Sequence, residues 1–507
     1  MYSIVNIKPR KYQENIAKIG LSKNTLVVLP TGLGKTLIAI LVAIKRLNRY
    51  PNSKVLMLAP TRPLCAQHQK TFQNFTNIEN EKIVLVTGRI RGEKRKGLYE
   101  NGKIIVATPQ CIKNDLEREI LRLMKFSLVI FDEAHKAVKD YPYTFIAKLY
   151  KKQSLTPRIL GLTASPGGTY ERIAEVKRNL FIEAVEIRSE YDEDVRPYVK
   201  EISKKWVYVP MPEKIKEVDE ILKQVLKEVL EWLKEYRIVK KSKVSKKELI
   251  QLQEKLAEEK AKGIVFTVMR KISEAIKIYH TIELLETQGV EPAYEFLKKL
   301  LKSKKRSDRL LFKYPGMILV LKKLENLKKE EIEHPKLKKL LSIVKELVVR
   351  NSKIKIIVFA NYRKTVEGIV EKLKENGISV KMLIGQARKE GKGLSQKDQI
   401  KILKEFAEAK FNVLVATSIG EEGLDIVDTN VAIFYEPVPS EIRMIQRRGR
   451  VGRQSKGYVI FLITKGSMDE AFYWASYHRA KKMRKILRRM REENKEKEKK
   501  TLMDWLK

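Results

Sequence analysis

Cysteine and histidine are scarce in this chain of 507 residues, which holds 2 cysteines and 5 histidines. Cys65 and Cys111 cannot form a disulfide framework and lack the spacing of a zinc site, so we expect both to be small buried residues. No window of about 18 residues is apolar and free of charge, as a membrane span requires. The N-terminus has no basic-then-apolar export pattern. We therefore expect an intracellular protein.

Acidic residues are also too few to balance the basic ones. The chain has 105 Lys and Arg against 62 Asp and Glu, a formal net charge of +43. This excess predicts a polyanionic partner, and nucleic acid is the leading candidate because neutralising phosphates provides most sequence-independent binding. The abundant Lys, Glu and Ile also suggest heat adaptation, but ion-pair networks need both signs and do not account for the excess.

The length predicts two to four domains, and the pattern of apolar runs divides the chain. Residues 1–208 alternate short apolar runs with helical patterns, which predicts an α/β fold with a parallel sheet and ligands at the carboxyl ends of its strands. The predicted strands cover residues 25–29, 54–59, 83–87, 103–107, 128–132, 159–163 and 206–209.

The rest of the chain changes character twice. Residues 209–333 carry long, charged amphipathic patterns and predict an all-helical insert domain. Residues 334–478 return to alternating α/β, and the predicted strands there cover residues 355–359, 380–383, 413–416, 431–435 and 457–462. Residues 479–507 read as a basic helical tail, or solvated linker, which raises the hypothesis that a further module follows it.

A candidate phosphate loop lies between the first predicted strand and a long apolar helix. Its sequence, P-T-G-x-G-K-T, lacks the first glycine of the full G-x-x-x-x-G-K-[ST] pattern, because Leu29 occupies that position. Backbone N–H groups at such a turn, with the helix dipole, can hold a triphosphate. We expect Lys35 to neutralise β- and γ-phosphate charge and Thr36 to bind Mg²⁺. The candidate nucleotide-binding residues of the loop are Thr31, Gly32, Leu33, Gly34, Lys35 and Thr36.

Two adjacent carboxylates follow the apolar strand at residues 128–131. In Asp132-Glu133-Ala134-His135, we expect Asp132 to hold Mg²⁺ of a bound nucleotide and Glu133 to polarise the attacking water. The alternative is an ordinary charged loop after a buried strand. The position of the pair on a strand of the same sheet as the phosphate loop favours the catalytic interpretation.

Four motifs in this order, PTGLGKT, DEAH, Thr163-Ala164-Ser165 and the run QRRGRVGR at residues 446–453, make the chain resemble superfamily 2 helicases over nearly its whole length. The resemblance implies two RecA-like motor domains and ATP with Mg²⁺ as cofactor. It also implies that Gln446, Arg450 and Arg453 reach the γ-phosphate from the second domain. An arginine supplied in this way stabilises charge in phosphoryl transfer, so catalysis would require the domains to close.

The same resemblance implies roles for further residues. Arg10 and Gln13 would read adenine, Asp425 would lie near the ribose, and His135 has a catalytic role by its motif. Thr163 and Ser165 would couple hydrolysis to domain movement. The residues that would contact the nucleic-acid backbone are Thr61, Arg62, Thr108, Asn361, Arg363, Thr417 and Ser418. We assign no role to His68, and we expect the four tryptophans to be packing residues.

The position of the insert resembles the branch of archaeal Hef and FANCM. That resemblance implies an archaeal, ATP-driven helicase that remodels branched DNA such as stalled forks and Holliday junctions. Archaeal members carry a C-terminal XPF-like nuclease, whose signature is absent here, so a separate nuclease module is a candidate partner. The alternatives are a double-stranded RNA translocase of the Dicer or RIG-I-like type and a non-catalytic nucleic-acid scaffold.

Within the insert, the loop at residues 302–309 is strongly basic. Lys304, Lys305 and Arg306, with Phe312 and Tyr314 behind them, could grip duplex DNA at a branch, because cations interleaved with aromatic rings suit backbone contact and stacking. An exposed connection between helices with aromatic residues in the core explains the same residues. Both interpretations stay open at this point.

Overall fold

The computed structural model describes residues 1–167, 169–199, 202–241, 244–258, 264–330, 332, 334–385, 393–417, 429–437 and 457–505. Within these ranges the chain forms two parallel sheets and a helical bundle, which confirms the predicted α/β class with an all-helical insert. None of the described helices is both long and apolar enough to cross a membrane.

The first sheet has seven strands in the order β3-β4-β2-β5-β6-β1-β7. The strands are β1 (Thr25–Val28), β2 (Lys54–Leu58), β3 (Ile83–Val86), β4 (Ile104–Ala107), β5 (Phe126–Asp132), β6 (Ile159–Thr163) and β7 (Ala184–Ile187). The helices around them are α1 (Lys11–Ser22), α2 (Lys35–Arg49), α3 (Arg62–Phe75), α4 (Gly92–Asn101), α5 (Pro109–Glu117), α6 (Pro142–Gln153) and α7 (Tyr170–Asn179). Most strand residues are buried because helices cover both faces, as the apolar runs predict. The short edge strand β7 was not predicted.

The helical bundle covers residues 213–329 of the chain. Its helices are α8 (Glu213–Glu235), α9 (Lys246–Glu258), α10 (Ile264–Gln288), α11 (Val290–Leu301), α12 (Arg306–Arg309) and α13 (Pro315–Lys329). The apolar faces of these amphipathic helices form a separate core, to which Ile215, Leu222 and Ile272 contribute fully buried side chains.

The second sheet has six strands in the order β10-β11-β9-β12-β13-β8. The strands are β8 (Ile202–Val209), β9 (Ile356–Phe359), β10 (Val380–Leu383), β11 (Val413–Ala416), β12 (Val431–Phe434) and β13 (Gly457–Thr464). The helices after the insert are α14 (Pro335–Arg350), α15 (Arg363–Glu375), α16 (Gln396–Ala407) and α17 (Met468–Trp505). The five strands predicted after residue 334 are all present.

The prediction that residues 206–209 belong to the first sheet is wrong. These residues lie in β8, which pairs along its whole length with β13 at the edge of the second sheet. The chain therefore contributes a strand to the second domain before it enters the insert, and the predicted boundary at residue 208 falls inside that strand.

The prediction of a solvated tail from residue 479 is also wrong for its first turns. Ala480, Met483, Leu487 and Met490 are buried in the core of the first domain, where α17 packs beside β7. Because α17 begins directly after β13 of the second sheet, this helix joins the two α/β domains.

Candidate active site

The phosphate loop has the strand-to-helix geometry that the sequence predicts. Helix α2 begins at Lys35, and Gly34 before it has φ 72° and ψ 41°, the left-handed conformation that glycine adopts without strain. A Cβ atom on Gly34 would also collide with the side-chain nitrogen of Gln13. Lys35 Nζ donates to the carbonyls of Leu29 at 3.0 Å and Pro30 at 3.3 Å. Its charge therefore lies over the loop where phosphates would bind.

Helix α1 supports this loop from behind. Tyr12 Oη donates to Leu33 O at 2.7 Å, and Gln13 Nε2 donates to the same carbonyl at 3.2 Å. Gln13 Oε1 accepts from the backbone N–H of Arg10 at 2.8 Å, while the Arg10 guanidinium lies 4.6 Å from the ring centre of Tyr198. Both residues predicted to read adenine thus adjoin the phosphate loop. Tyr198 was missed, because a lone tyrosine far along the chain has no motif.

The two carboxylates reach the same edge of the sheet as the loop. Strands β5, β6 and β1 are neighbours, so their carboxyl ends bring Asp132, Thr163 and the phosphate loop together. The backbone N–H of Leu29 donates to Thr163 O at 3.1 Å. Burial raises the pKa of Asp132, but His68 and Lys35 outweigh burial and hold it below its ordinary value.

His68 is the main residue of this site that sequence reasoning missed. Its Nε2 lies 2.8 Å from Asp132 Oδ2, and both side chains are buried. Helix α3 follows β2, and β2 adjoins β5, so the helix passes the end of the carboxylate strand. That adjacency is the only signal that could have found His68. The hydrogen bond fixes the orientation of the carboxylate assigned to Mg²⁺.

We predict that His68→Ala weakens the apparent Mg²⁺ affinity of ATP turnover by roughly tenfold to a hundredfold, because partners that orient metal ligands contribute about that much. Titrating Mg²⁺ at saturating ATP measures the effect. His478→Ala, which replaces an exposed histidine on α17, is the control. An unchanged Mg²⁺ dependence in His68→Ala would contradict the assignment.

Glu133 and His135 occupy a strained turn after β5. Glu133 has φ 49°, which is uncommon for a residue with a side chain and is typical of functional sites. Its Oε2 is buried, lies 3.3 Å from His135 Nδ1 and has no hydrogen-bond partner among the described residues. His135 Nδ1 is also 3.2 Å from Thr163 Oγ1. An acceptor oxygen that accepts no hydrogen bond from the described residues suits a residue that polarises water.

The coupling residues connect this turn to the C-terminal helix. Thr163 Oγ1 accepts from the backbone N–H of Ser165 at 3.1 Å, and Ser165 Oγ donates to Met483 Sδ at 2.9 Å. Met483 lies on α17, which begins in the second domain. Of the two residues predicted to couple hydrolysis to domain movement, Ser165 therefore contacts a helix that begins in the second domain.

The predicted nucleic-acid residues lie at strand ends in both sheets. Thr61 and Thr108 precede α3 and α5, directly after β2 and β4. In the second domain, the backbone N–H of Asn361 donates to Glu436 Oε2 at 2.5 Å, and Glu436 is a buried residue that was not predicted. The remaining placements are Arg62 at the start of α3, Arg363 at the start of α15 with its guanidinium donating to Gly385 O, and Thr417 after β11.

Five predicted site residues lie outside the described residues: Ser418, Asp425, Gln446, Arg450 and Arg453. Their assigned contacts to nucleotide and nucleic acid stay predictions.

In the insert, the basic loop and the aromatic residues behind it separate. Lys304, Lys305 and Arg306 are exposed, whereas Phe312 and Tyr314 pack against the insert core. Tyr314 Oη donates to Glu274 Oε2 at 2.9 Å. Of the two open interpretations, the core role fits the aromatic residues, and the cations stay available at the surface.

The insert is bonded to the second motor domain through α10. Tyr362 Oη donates to Glu283 Oε1 at 3.2 Å, and the N–H of Met468 donates to Glu286 Oε2 at 2.6 Å. Burial raises the pKa of Glu283, but His280 and Lys246 outweigh it and lower the value to about 2. Tyr362 lies between Asn361 and Arg363, so the insert contacts a predicted nucleic-acid motif directly.

Comparison with protein families matches three parts of the chain. Residues 10–173 match the DEAD/DEAH box helicase family, and residues 336–455 match the helicase conserved C-terminal domain. Residues 214–346 match a family described as the helical bundle of a proposed ATP-dependent RNA helicase.

Whole-chain comparison finds relatives in archaea and eukaryotes. The solved helicase domain of Hef from Pyrococcus furiosus is 46% identical with a TM-score of 0.71, and the match covers 92% of this chain and 98% of that one. A Methanocaldococcus jannaschii protein, whose name proposes an ATP-dependent RNA helicase, is 43% identical over 96% of this chain and 61% of its own length. An Arabidopsis thaliana protein named DEAD-box ATP-dependent RNA helicase FANCM is 34% identical over 91% of this chain and 35% of its own length. The chain thus spans less than two thirds of these two curated relatives.

Proposed function

Because this chain belongs to the superfamily 2 helicases of the Hef and FANCM branch, we propose that it is an ATP-dependent DNA helicase or translocase that acts on branched DNA, in replication-fork repair and recombination. Relatives from Pyricularia oryzae and Schizosaccharomyces pombe, each at least 30% identical over more than 90% of this chain, are named ATP-dependent DNA helicases. Stalled forks and Holliday junctions are the substrates we expect.

One observation carries the proposal. The phosphate loop, the carboxylates of Asp132 and Glu133, and the coupling residue Thr163 lie together at the carboxyl ends of the neighbouring strands β1, β5 and β6. The left-handed Gly34 and the Lys35 ammonium suit a triphosphate, and Thr36 with Asp132 would hold Mg²⁺. The ion would supply charge neutralisation at the phosphates. Glu133, with its buried acceptor oxygen, would orient the attacking water. Arg450 and Arg453 would complete the site from the second domain.

The names of relatives also support a second candidate, an RNA-dependent translocase, because the Methanocaldococcus protein, the Arabidopsis protein and the helical-bundle family are all named for RNA helicases. ATP turnover titrated with forked DNA, linear duplex DNA and duplex RNA of one sequence decides between them. We expect the strongest stimulation by forked DNA. Stimulation by duplex RNA alone would support the second candidate, and binding without turnover would indicate a scaffold.

We predict that the basic loop of the insert provides the preference for forks. Replacing Lys304, Lys305 and Arg306 by alanine should reduce the ratio of fork to linear-duplex affinity several-fold, with basal ATP turnover unchanged, because phosphate contacts at the branch are lost. A variant with Lys240, Lys241 and Lys247 replaced removes the same charge from another exposed part of the insert and is the control. An equal effect of both triple variants would show a general charge effect and no branch recognition.

We propose that a nuclease module acts with this helicase unit, as the resemblance to archaeal Hef implies. Co-purification of nuclease activity on forked DNA from the source cells tests that association.

A further inference from the structure

A groove of about 480 Å³ lies outside all the motifs assigned above. It runs between the exposed face of β8 and the first turns of α17, and Tyr191, in the segment after β7, lies beside it. Six of its lining residues are aromatic. No predicted nucleotide or nucleic-acid residue lines it, so the proposed function does not use it.

The groove has a fixed aromatic floor and exposed aromatic walls. Phe461 and Tyr473 are buried, with ring centres 4.9 Å apart, and Trp206 stacks over Phe461 at 6.2 Å with an interplanar angle of 18°. Trp206 and Trp474 are each 42% exposed and Tyr477 is 44% exposed. Trp206 and Trp474 therefore pack against buried rings, as we expected of the tryptophans, and they are also partly exposed. Their rings are held in place by buried neighbours and still present open faces.

The charged residues of the groove are all basic. Lys204 lies two residues before Trp206 on the same face of β8, and Lys481 and Arg484 lie one turn apart on α17. None of the described residues that line the groove is acidic. An apolar peptide would not require a groove whose charged lining residues are all basic. Planar rings with cations between them match bases joined by a phosphate backbone.

We propose that this groove binds a segment of single-stranded nucleic acid, with bases stacked on Trp206 and Trp474 and the backbone held by Lys481 and Arg484. The proposal rests on the proposed function in taking nucleic acid as the ligand. It adds a binding surface on the edge of the second domain where a separated strand would be held. Ser165, one of the two predicted coupling residues, contacts Met483 of α17, so a strand bound here would contact the same helix as that residue.

The test measures binding of a labelled oligothymidylate to the full chain without ATP. Trp206→Ala and Trp474→Ala should each weaken binding by at least roughly fivefold, because stacking of one base contributes at least that much. Trp474→Phe keeps a ring and should retain most of the affinity, which separates lost stacking from lost folding. Trp232→Phe, in the insert, is the matched control: its ring stacks on Tyr236 and lies outside the groove.

Charge gives a second, independent measurement. Replacing Lys481 and Arg484 together by glutamine should make the negative slope of log affinity against log salt shallower by about 1.4, since each phosphate contact on a single strand contributes about −0.7 to it. Lys482→Gln, an exposed neighbour outside the lining, should leave the slope within about 0.2 of wild type.

The outcomes separate this inference from the proposed function. One outcome would contradict the groove as a binding site and still support the helicase function. In it, forked DNA stimulates ATP turnover of the wild-type chain, but both tryptophan-to-alanine variants bind oligothymidylate as tightly as wild type. A wild-type chain that neither binds oligothymidylate nor responds to DNA would overturn both. Weakened binding in the alanine variants with retention in Trp474→Phe supports the groove.

Discussion

Lys35→Ala is expected to reduce ATP turnover by roughly a hundredfold or more, the loss seen when one preorganised charge-stabilising donor is removed from an active site. The Lys35 ammonium lies over the phosphate loop on the carbonyls of Leu29 and Pro30, and it is close enough to lower the pKa of Asp132. Alanine keeps helix α2 and removes the charge. Phosphate release at saturating ATP and DNA measures the change.

DNA binding by Lys35→Ala should stay close to wild type, because the net charge of +43 does not depend on the loop. Lys45→Ala, an exposed lysine on the same helix, is the matched control and should keep full turnover. If Lys35→Ala lost turnover and DNA binding together, the separation of the two sites would be wrong.

The parts of the fold that sequence predicts well are those that local pattern encodes. Strand β1, the glycine turn and α2 follow one another within 25 residues, so apolar periodicity and glycine place them without tertiary information. Strand β8 is different. Its exposed residues, such as Lys204 and Trp206, fit either sheet by pattern, and only pairing with β13, more than 240 residues later, decides which one it joins.

The sequence of α17 contains a pattern that indicates a buried face, but its charged residues obscured that pattern. Ala480, Met483, Leu487 and Met490 recur at helical spacing, which indicates a buried face, yet the surrounding lysines and arginines made the segment resemble a solvated linker. His68 had no such signal at all, because its contact with Asp132 arises from sheet order and not from any motif.

Helix α17 contacts all three units of the chain, which are the first α/β domain, the insert and the second α/β domain. Its first residue, Met468, bonds to Glu286 of the insert, and Met483 contacts Ser165 of the first domain. Burial, together with repulsion from Asp219, raises the pKa of Glu286 to about 7, and Lys223 pairs with the carboxylate at 2.8 Å. A helix that contacts the insert at Met468 and the first domain at Met483 offers a physical connection between the phosphate loop's domain and the insert.

A buried ion pair holds the start of α17 to the second domain. Of the proposed substitutions, one that breaks this pair should lower the free energy of unfolding most. Lys336 Nζ lies 2.7 Å from Asp469 Oδ2 and donates to Tyr435 O at 3.0 Å, with both charged side chains fully buried. Asp469 also accepts from the N–H and hydroxyl of Thr464. Asp469→Ala leaves a buried ammonium without its counter-charge, which costs about 3 to 5 kcal/mol of unfolding free energy.

Denaturant unfolding of Asp469→Ala measures this loss of stability. Two further variants test whether the loss comes from the unpaired buried charge. Lys372→Ala removes one partner of an exposed pair, Lys372 with Glu375 at 3.1 Å, and should cost less than about 1 kcal/mol. The double variant Lys336→Met with Asp469→Leu removes both charges and should recover much of the loss, because no buried charge is left unpaired. If the double variant were as unstable as Asp469→Ala, packing at the start of α17 and not charge would hold the helix to the second domain.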